Sequence, residues 1–382
     1  MLNKRPAAGR VRMGFCAMRP TMTEHVQTRI ANGTGIIVLD RPKALNSLSL
    51  PMVRAMTGAL LAWRGDPHVA AVFVRGSSPR AFCAGGDIRF FHQAGSSTPQ
   101  GGSALIEDFF TEEYSLDYLV QTYPKPYVAL LDGVVMGGGM GIGQAGTNGL
   151  RIVTEGTKMA MPETNIGFFP DVGASHFLSR TPGRIGMYLG LTSATIGAAD
   201  ALYAGLADVF VPSAQLDAQQ ALVAVTPGAG LAEAIRAFAA PFAAQAGASE
   251  LQAARAAIDT HFGQASVADV MASLADDADP FAQRALAMMR QRSPLMMCVT
   301  RAMLAKGATL GLADCLRMER TLVRRAFEVG EVLEGVRALA VDKDNAPRWN
   351  PATLDEVTPA MVARFFEPAW PDHAHPLRGL GR

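Results

Sequence analysis

The stretch from Lys125 to Asp171, KPYVALLDGVVMGGGMGIGQAGTNGLRIVTEGTKMAMPETNIGFFPD, decides how this chain is read. Tyr127 to Asp132 is a short apolar run rich in strand formers, and a few residues on comes Gly137-Gly138-Gly139, followed by small and apolar residues through Ala145. The pattern predicts a strand feeding a helix through a turn that carries no side chains. Backbone N–H groups in such a turn approach a ligand closely, and the first N–H groups of the new helix have no partner inside it, so the turn favours an oxygen bearing negative charge. Further on, Glu163 and Asp171 stand eight positions apart among Met159, Met161, Ile166, Phe168 and Phe169. An oxyanion site and a carboxylate pair in one segment are the parts of an acyl-transfer site.

Working outward, a second side-chain-poor turn, Ala81-Phe82-Cys83-Ala84-Gly85-Gly86-Asp87-Ile88, follows the apolar run Val69–Val74. A single glycine pair says little, because turns use glycine for backbone reasons alone. Two such turns, each after a strand, can converge two N–H groups on one oxygen. Cys83 as a nucleophile is the competing reading, and against it stands the absence of a nearby His in the sequence. Gly141-Ile142-Gly143-Gln144-Ala145-Gly146 also matches G-x-G-x-x-G, with Glu155 as a ribose ligand, but a dinucleotide domain places that turn after its first strand and here several elements precede it. For the carboxylates the bland alternatives are an N-cap for Asp171 and a surface group for Glu163; Pro162 and the flanking methionines argue for desolvation, which raises a carboxylate toward the acid/base range.

Before this segment the fold is expected to start near His25. Val26–Ile30 and Ile36–Asp40 flank Asn32-Gly33 as a hairpin, Ser49 reads as the cap of a helix that stops near Gly65-Asp66-Pro67, and Val69–Val74 as a buried strand. Two strands, a helix and another strand recur with Tyr127–Asp132 and Ile152–Thr154, so stacked ββα turns are expected. The acidic run Glu107, Asp108, Glu112 and Glu113 lies on a helical period between Gly101 and Tyr123 and reads as a solvated face. Beyond Asp171, taken as the cap of Val172–Ser179, helices dominate, with one strand at Ala207–Val211, and the Pro-containing tail reads as a loosely packed loop. The resulting division is a leader over 1–24, a core with the site over 25–212 and a helical region over 213–382.

Composition narrows the function classes. The chain has 382 residues, 49% of them hydrophobic, with a formal net charge of +1, which allows a large core and excludes a one-sided basic nucleic-acid surface. No apolar run is long enough for a membrane span. Cys16, Cys83, Cys298 and Cys315 have no metal-ligand or redox spacing, so a reducing compartment and no metal are expected. Lys4, Arg5, Arg10, Arg12 and Arg19 precede the first acidic residue, Glu24, which suits a mitochondrial transit peptide, a disordered leader, or an upstream start with Met18 or Met22 as the true one. Scarce lysine and abundant arginine and alanine read as a GC-rich coding bias, so the expected location is a bacterial cytoplasm.

Ala81–Ile88, Lys125–Gly143 and Met161–Gly173 together resemble the crotonase (enoyl-CoA hydratase/isomerase) superfamily. Phe177-Leu178-Ser179-Arg180, Asp314-Cys315-Leu316-Arg317-Met318-Glu319, Glu334-Gly335-Val336-Arg337-Ala338 and Asp342-Lys343-Asp344 are similar to its branch that hydrolyses the thioester of 3-hydroxyisobutyryl-CoA, and carry the likeness over nearly the whole chain. The resemblance implies an α/β fold, a spiral of ββα repeats with a C-terminal helical region. It implies an oxyanion hole from the N–H groups of Gly86 and Gly138, Glu163 as catalytic carboxylate with Asp171 as its partner, and Glu113, Gly138, Ala84 and Asp87 on the substrate. It implies no cofactor beyond the CoA that is part of the substrate, and assembly as a homo-oligomer built on trimers. Hydratases of the superfamily carry a second glutamate two residues after the triple glycine; Gly141 stands there in this chain, so the pair that adds water across a double bond is missing. A small insertion at Gly146–Asn148 is expected to lengthen a loop.

Overall fold

The computed structural model describes residues 21–23, 25–98 and 102–381. Strand β1 (Thr21–Thr23) pairs antiparallel with β2 (Val26–Ala31), and β2 with β3 (Thr34–Leu39), so the described strands begin a little before the expected start of the fold. The rest of the expected leader, residues 1–20 and Glu24, lies outside the described residues. Asn32 and Gly33 both take positive φ, 48° and 74°, as a two-residue hairpin loop requires. Helix α1 (Leu50–Arg64) follows with Pro51 in its first turn, but Ser49 makes no side-chain cap.

Three repeats then share a plan. Strand β4 (Ala71–Gly76) is followed by short β5 (Ala81–Cys83) and by helices α2 (Ile88–Ser96) and α3 (Ala104–Gln121). Next come β6 (Tyr127–Leu131), short β7 (Val134–Met136) and α4 (Gly138–Gly143), and then β8 (Leu150–Val153) and short β9 (Lys158–Ala160). The longer strands, closed by β10 (Val209–Phe210), form a seven-stranded sheet in the order β1-β2-β3-β4-β6-β8-β10; β5, β7 and β9 form a second sheet, parallel throughout. Each repeat leaves the large sheet, adds a strand to the small one and returns, which is the spiral of ββα turns expected from the sequence.

The apolar runs of the large sheet are continuous because both of its faces are covered. Period-2 alternation sends Ile37, Leu39, Val72, Val74, Ala129, Leu131 and Val153 into one core, and Ile36, Phe73, Val128, Leu130 and Ile152 into another. The second core is closed by helices Leu216–Val225 and Leu231–Ala239 through Val223, Leu231, Ile235 and Ala239. The first continues without a break into the later helices, through Leu286, Met296, Leu304, Leu316, Val323 and Phe327. Packing therefore draws no line at residue 212. The tail is not loose: Thr358 caps helix Pro359–Phe365, Phe365 and Leu377 are buried, and Arg317 donates to the carbonyls of Leu377 and Leu380.

Candidate active site

The small sheet brings the two glycine turns together. Pairing of β5 with β7 sets Cys83 beside Val135, so the chain leaving each strand passes the other closely. A Cβ built on Gly85 comes 3.1 Å from the Met136 carbonyl oxygen and 3.4 Å from the Gly138 nitrogen, and one on Gly138 comes 3.4 Å from the Gly86 nitrogen. Gly85 (φ 99°) and Gly137 (φ 49°) also hold conformations that a side chain disfavours. The Ala84 amide is taken by the Leu45 carbonyl and that of Asp87 by Leu48. The amides of Gly86 and Gly138 donate to no acceptor among the described residues. Gly138 is the first residue of α4, where an N–H has no partner inside the helix.

Pairing of β7 with β9 brings the next segment alongside, with the Gly137 amide on the Ala160 carbonyl at 3.3 Å. Three residues later Glu163 opens a 3-10 turn, Glu163–Ile166, ended by Gly167 at φ 67°. One oxygen of Glu163, Oε2, is buried and accepts nothing, and the other lies 2.8 Å from where a Gly137 Cβ would stand. Burial, first, and the nearby Asp171 hold the Glu163 carboxyl well above its usual range.

Asp171 is 5% exposed and accepts a 2.6 Å hydrogen bond from the Tyr114 hydroxyl. Burial pushes it up to about 7, with the Tyr114 bond pulling the other way. It does not cap the following helix, contrary to the expectation. Helix Ala174–Phe177 starts three residues later, and the free amides at its start go to Glu319, which accepts from Gly173 N (2.7 Å), Ser175 N (2.8 Å) and Ser175 Oγ. With Glu319 as the cap, the Asp171 side chain turns to the cavity. The backbone between them bends through Val172 at φ 56°, unusual for a β-branched residue and held here by these contacts.

Glu113 departs from the solvated face expected for its acidic run. Arg54 binds Glu112, and Arg320 and Arg324 bind Glu107, whereas Glu113 is 2% exposed with Oε1 unbonded and against Gly138. Helical period explains the split: Glu113, Tyr114 and Asp117 lie on the inner face of α3. Asp117, absent from the sequence reading, is wholly buried with both oxygens unbonded, beside the bare Cα of Gly141. Burial, first, and the charge of Asp171 hold Glu113 well above the carboxylate range, burial with Glu113 and Asp171 does the same to Asp117, and burial pushes Glu319 to about 8. The i, i+4 spacing of Glu113 and Asp117 was the available signal for the second.

Ala84, Gly86, Glu113, Gly138, Glu163 and Asp171 line one cavity of about 260 Å³; Asp87 does not, because its carboxylate is held by Arg41 at 2.9 Å and accepts from the Phe90 amide at the start of α2. The far wall comes from Phe91, Phe110, Phe168, Phe327 and Val332, and Leu339 stands at the mouth. Phe327, Val332 and Leu339 were not anticipated. The competing readings find no support in the geometry. Burial pushes the Cys83 thiol up to about 12, Gly141 and Gly143 sit inside α4, and Glu155 accepts from the Ser213 amide. Among the described residues no group of His, Cys, Asp or Glu is arranged to hold a metal ion, and no helix is long and apolar enough to cross a membrane.

Known proteins carry the same arrangement of elements. The chain is 38% identical over 340 residues to "3-hydroxyisobutyryl-CoA hydrolase, mitochondrial" of Gallus gallus, covering 88% of this chain and 87% of that protein. It is 36% identical to the small ribosomal subunit protein mS47 of Neurospora crassa, over 85% of this chain and 67% of that one. A crystal structure described as a carnitinyl-CoA dehydratase from Mycobacterium thermoresistibile superposes with a TM-score of 0.84 at 38% identity, covering 91% of this chain and 98% of the other. The expected bacterial cytoplasm is overturned by the relatives from Gallus gallus, Xenopus tropicalis and Rattus norvegicus, all named mitochondrial, which point to the mitochondrion. Arginine and alanine content reports coding bias rather than compartment. Residues 34–366 match the model of the family described as enoyl-CoA hydratase/isomerase, and with the spiral fold and relatives of this similarity over most of the chain, the protein belongs to that family.

Proposed function

We propose that the protein hydrolyses the thioester of 3-hydroxyisobutyryl-CoA to 3-hydroxyisobutyrate and CoA. One observation carries the reading: two undonated amides, Gly86 and Gly138, and an unbonded carboxylate oxygen, Glu163 Oε2, serve a single cavity. The similarity to hydrolases of that name supports the substrate.

Attack on a thioester carbonyl moves charge onto its oxygen, and two amides aimed at that oxygen lower the barrier by about 3 kcal/mol each. Glu163 supplies the other half of the chemistry. As a general base it takes a proton from water while the oxygen of that water bonds to the acyl carbon; as a nucleophile it forms an acyl anhydride that water then opens. Both routes expel the CoA thiolate, which leaves as the thiol after taking a proton. A single turnover in ¹⁸O-water that leaves label in the Glu163 carboxylate identifies the anhydride route, with water opening the anhydride at the Glu163 carbonyl. Asp171, held by Tyr114, orients the substrate hydroxyl or water and raises the proton affinity of Glu163. Glu113 takes the acyl end. CoA enters as part of the substrate, and the reading calls on no cofactor. Assembly is a homo-oligomer built on trimers, to be measured by sedimentation equilibrium.

Hydration of a conjugated double bond makes a heavier demand, one group to activate water and another to protonate the α-carbon. The expected result is therefore rapid thiol release from 3-hydroxyisobutyryl-CoA, slower release from 3-hydroxypropionyl-CoA, and little loss of the double-bond absorbance of crotonyl-CoA. Efficient hydration of crotonyl-CoA without thiol release overturns the proposal. Binding of acyl-CoA with neither reaction leaves a non-catalytic role, the reading that likeness to the ribosomal-subunit protein favours.

A further inference from the structure

The cavity has two unlike ends. Its mouth is lined by half-buried residues, Ala84, Gly86, Ile88, Pro162 and Asn165, together with Leu339, which is 40% exposed. Its other end is closed and dry: Phe91, Phe110, Phe168, Phe327 and Val332 are each 7% exposed or less, and none offers a polar side-chain atom. The closed end begins close to the free amides, since a Cβ on Gly86 would stand only 2.7 Å from the Phe91 ring. An acyl carbonyl received by Gly86 and Gly138 thus has its CoA arm toward the mouth and its carbon chain toward the rings.

The rings brace one another. Phe110 is the hub, with centroids 4.9 Å from Phe91, 5.9 Å from Phe168 and 5.9 Å from Phe327, and Phe168 lies 6.4 Å from Phe327. Phe168 stacks on Phe169 at 4.5 Å. Phe327 is backed by Gly95, whose missing Cβ would lie 3.3 Å from the ring, so it has little room to retreat. A close-packed wall of this kind yields poorly to added methylenes.

We infer that Phe110, Phe168 and Phe327 set the length limit of the acyl group, so that short, branched acyl chains enter while straight chains beyond about four carbons are turned away. The inference rests on the thioesterase reading and names its substrate class. A methyl branch uses the width of the ring-lined end, whereas a longer chain has to displace a ring. The polar part of the acyl group then meets the carboxyl-lined side of the cavity, Glu113, Glu163 and Asp171, which suits a hydroxyl near the carbonyl. Phe327 is the ring to change, because it comes from helix Leu312–Val329 and is not flanked in sequence by the proposed catalytic groups.

The test compares thiol release from 3-hydroxyisobutyryl-CoA and 3-hydroxyhexanoyl-CoA by the wild-type protein, Phe327→Leu and Phe327→Ala, with folding checked by circular dichroism. Discrimination by apolar pockets runs at about 10- to 200-fold per methylene. The wild-type protein is expected to favour the short substrate by about 100-fold or more in kcat/KM. Phe327→Ala should narrow that ratio at least about tenfold, chiefly through a lower KM for the long substrate, and Phe327→Leu, which keeps more of the packing, should narrow it less. Equal cleavage of both substrates by the wild-type protein overturns the inference. So does an unchanged ratio in the folded leucine variant and the folded alanine variant alike. If the wild-type protein releases no thiol from either substrate, it is the thioesterase reading that fails. The limit is then read by calorimetric binding of the same two acyl-CoAs, and equal affinities would refute it.

Discussion

The spiral turns and the helices beyond Pro280 contribute to one cavity in opposite ways. The turns supply polar atoms: undonated amides at Gly86 and Gly138, and the carboxyl groups of Glu163 and Asp171. The later helices supply no reacting group; they complete the apolar wall begun by Phe91, Phe110 and Phe168 of the spiral, through Phe327 and Val332, and brace the site, with Glu319 clamping the amides of Gly173 and Ser175 just after Asp171. The difference teaches that the chemistry is written in short segments delivered by strand register, while the environment that gives it force is assembled from distant chain. A carboxylate with an unbonded oxygen in water is unremarkable. Under a lid of phenylalanine it becomes a base of raised proton affinity.

The sharpest way to break this contrast is to remove the proton acceptor and keep its shape. Glu163→Gln is expected to lower kcat by about 10³-fold or more while acyl-CoA binding survives, measured by steady-state kinetics and calorimetry. An active variant removes Glu163 from the chemistry. Gly138→Pro deletes one amide donor, and a loss of about 10²- to 10³-fold in kcat is expected. A Cβ at this position also presses on Glu113, so circular dichroism must first show a folded protein.

The environment is tested by pH. A carboxyl whose folded pKa is raised above its unfolded value binds its proton more tightly in the folded state, so stability declines as pH rises from the unfolded pKa, near 4, through the folded one. For Asp171, raised to about 7, and Glu319, raised to about 8, the window is roughly pH 4 to 8, and melting temperature should fall across its upper half. Asp171→Asn keeps an acceptor for Tyr114 and should flatten this fall. It should also move the acidic limb of kcat/KM to lower pH, since it removes a negative neighbour of Glu163. An unmoved limb would show that Asp171 is not felt at the base.

The smallest effects come from two neighbours on one helix. Glu113→Ala is expected to raise KM about tenfold with a modest loss of kcat, because the group faces the acyl end rather than the reacting bond. Glu112→Ala, which removes only a half-exposed pair with Arg54, should leave both kinetic constants unchanged and shift the melting temperature by about 2 °C or less. Similar effects from the two variants would mean that the inner face of α3 has no special role.

Local patterns carried much of the site. Glycine turns after strands, and carboxylates among apolar residues, are signals contained within a few positions; they marked the two turns and the pair Glu163 and Asp171, while the family resemblance singled out Gly86 and Gly138 within the turns, and all four residues line one cavity. Glu113 was harder, because four acidic residues on one helical stretch look alike until the helix is docked and its phase is known. The alternative of Asp171 as a helix cap fails because Glu319, which takes the amides there, comes from another part of the chain. The resemblance implied Asp87 as a substrate contact, whereas its carboxylate is held by Arg41 and the Phe90 amide.

By itself, then, the sequence determined the period of its strands, the places where backbone must run bare, and the residue types at the reacting centre, since these follow from local sterics and spacing. Only the tertiary structure decided that Gly86 and Gly138 face each other, that Glu113 is buried while Glu112 is not, and that Phe327 closes the pocket. Those outcomes depend on the register of the small sheet and on how helices pack over it, and packing energy is summed over many distant contacts that no short stretch of residues records.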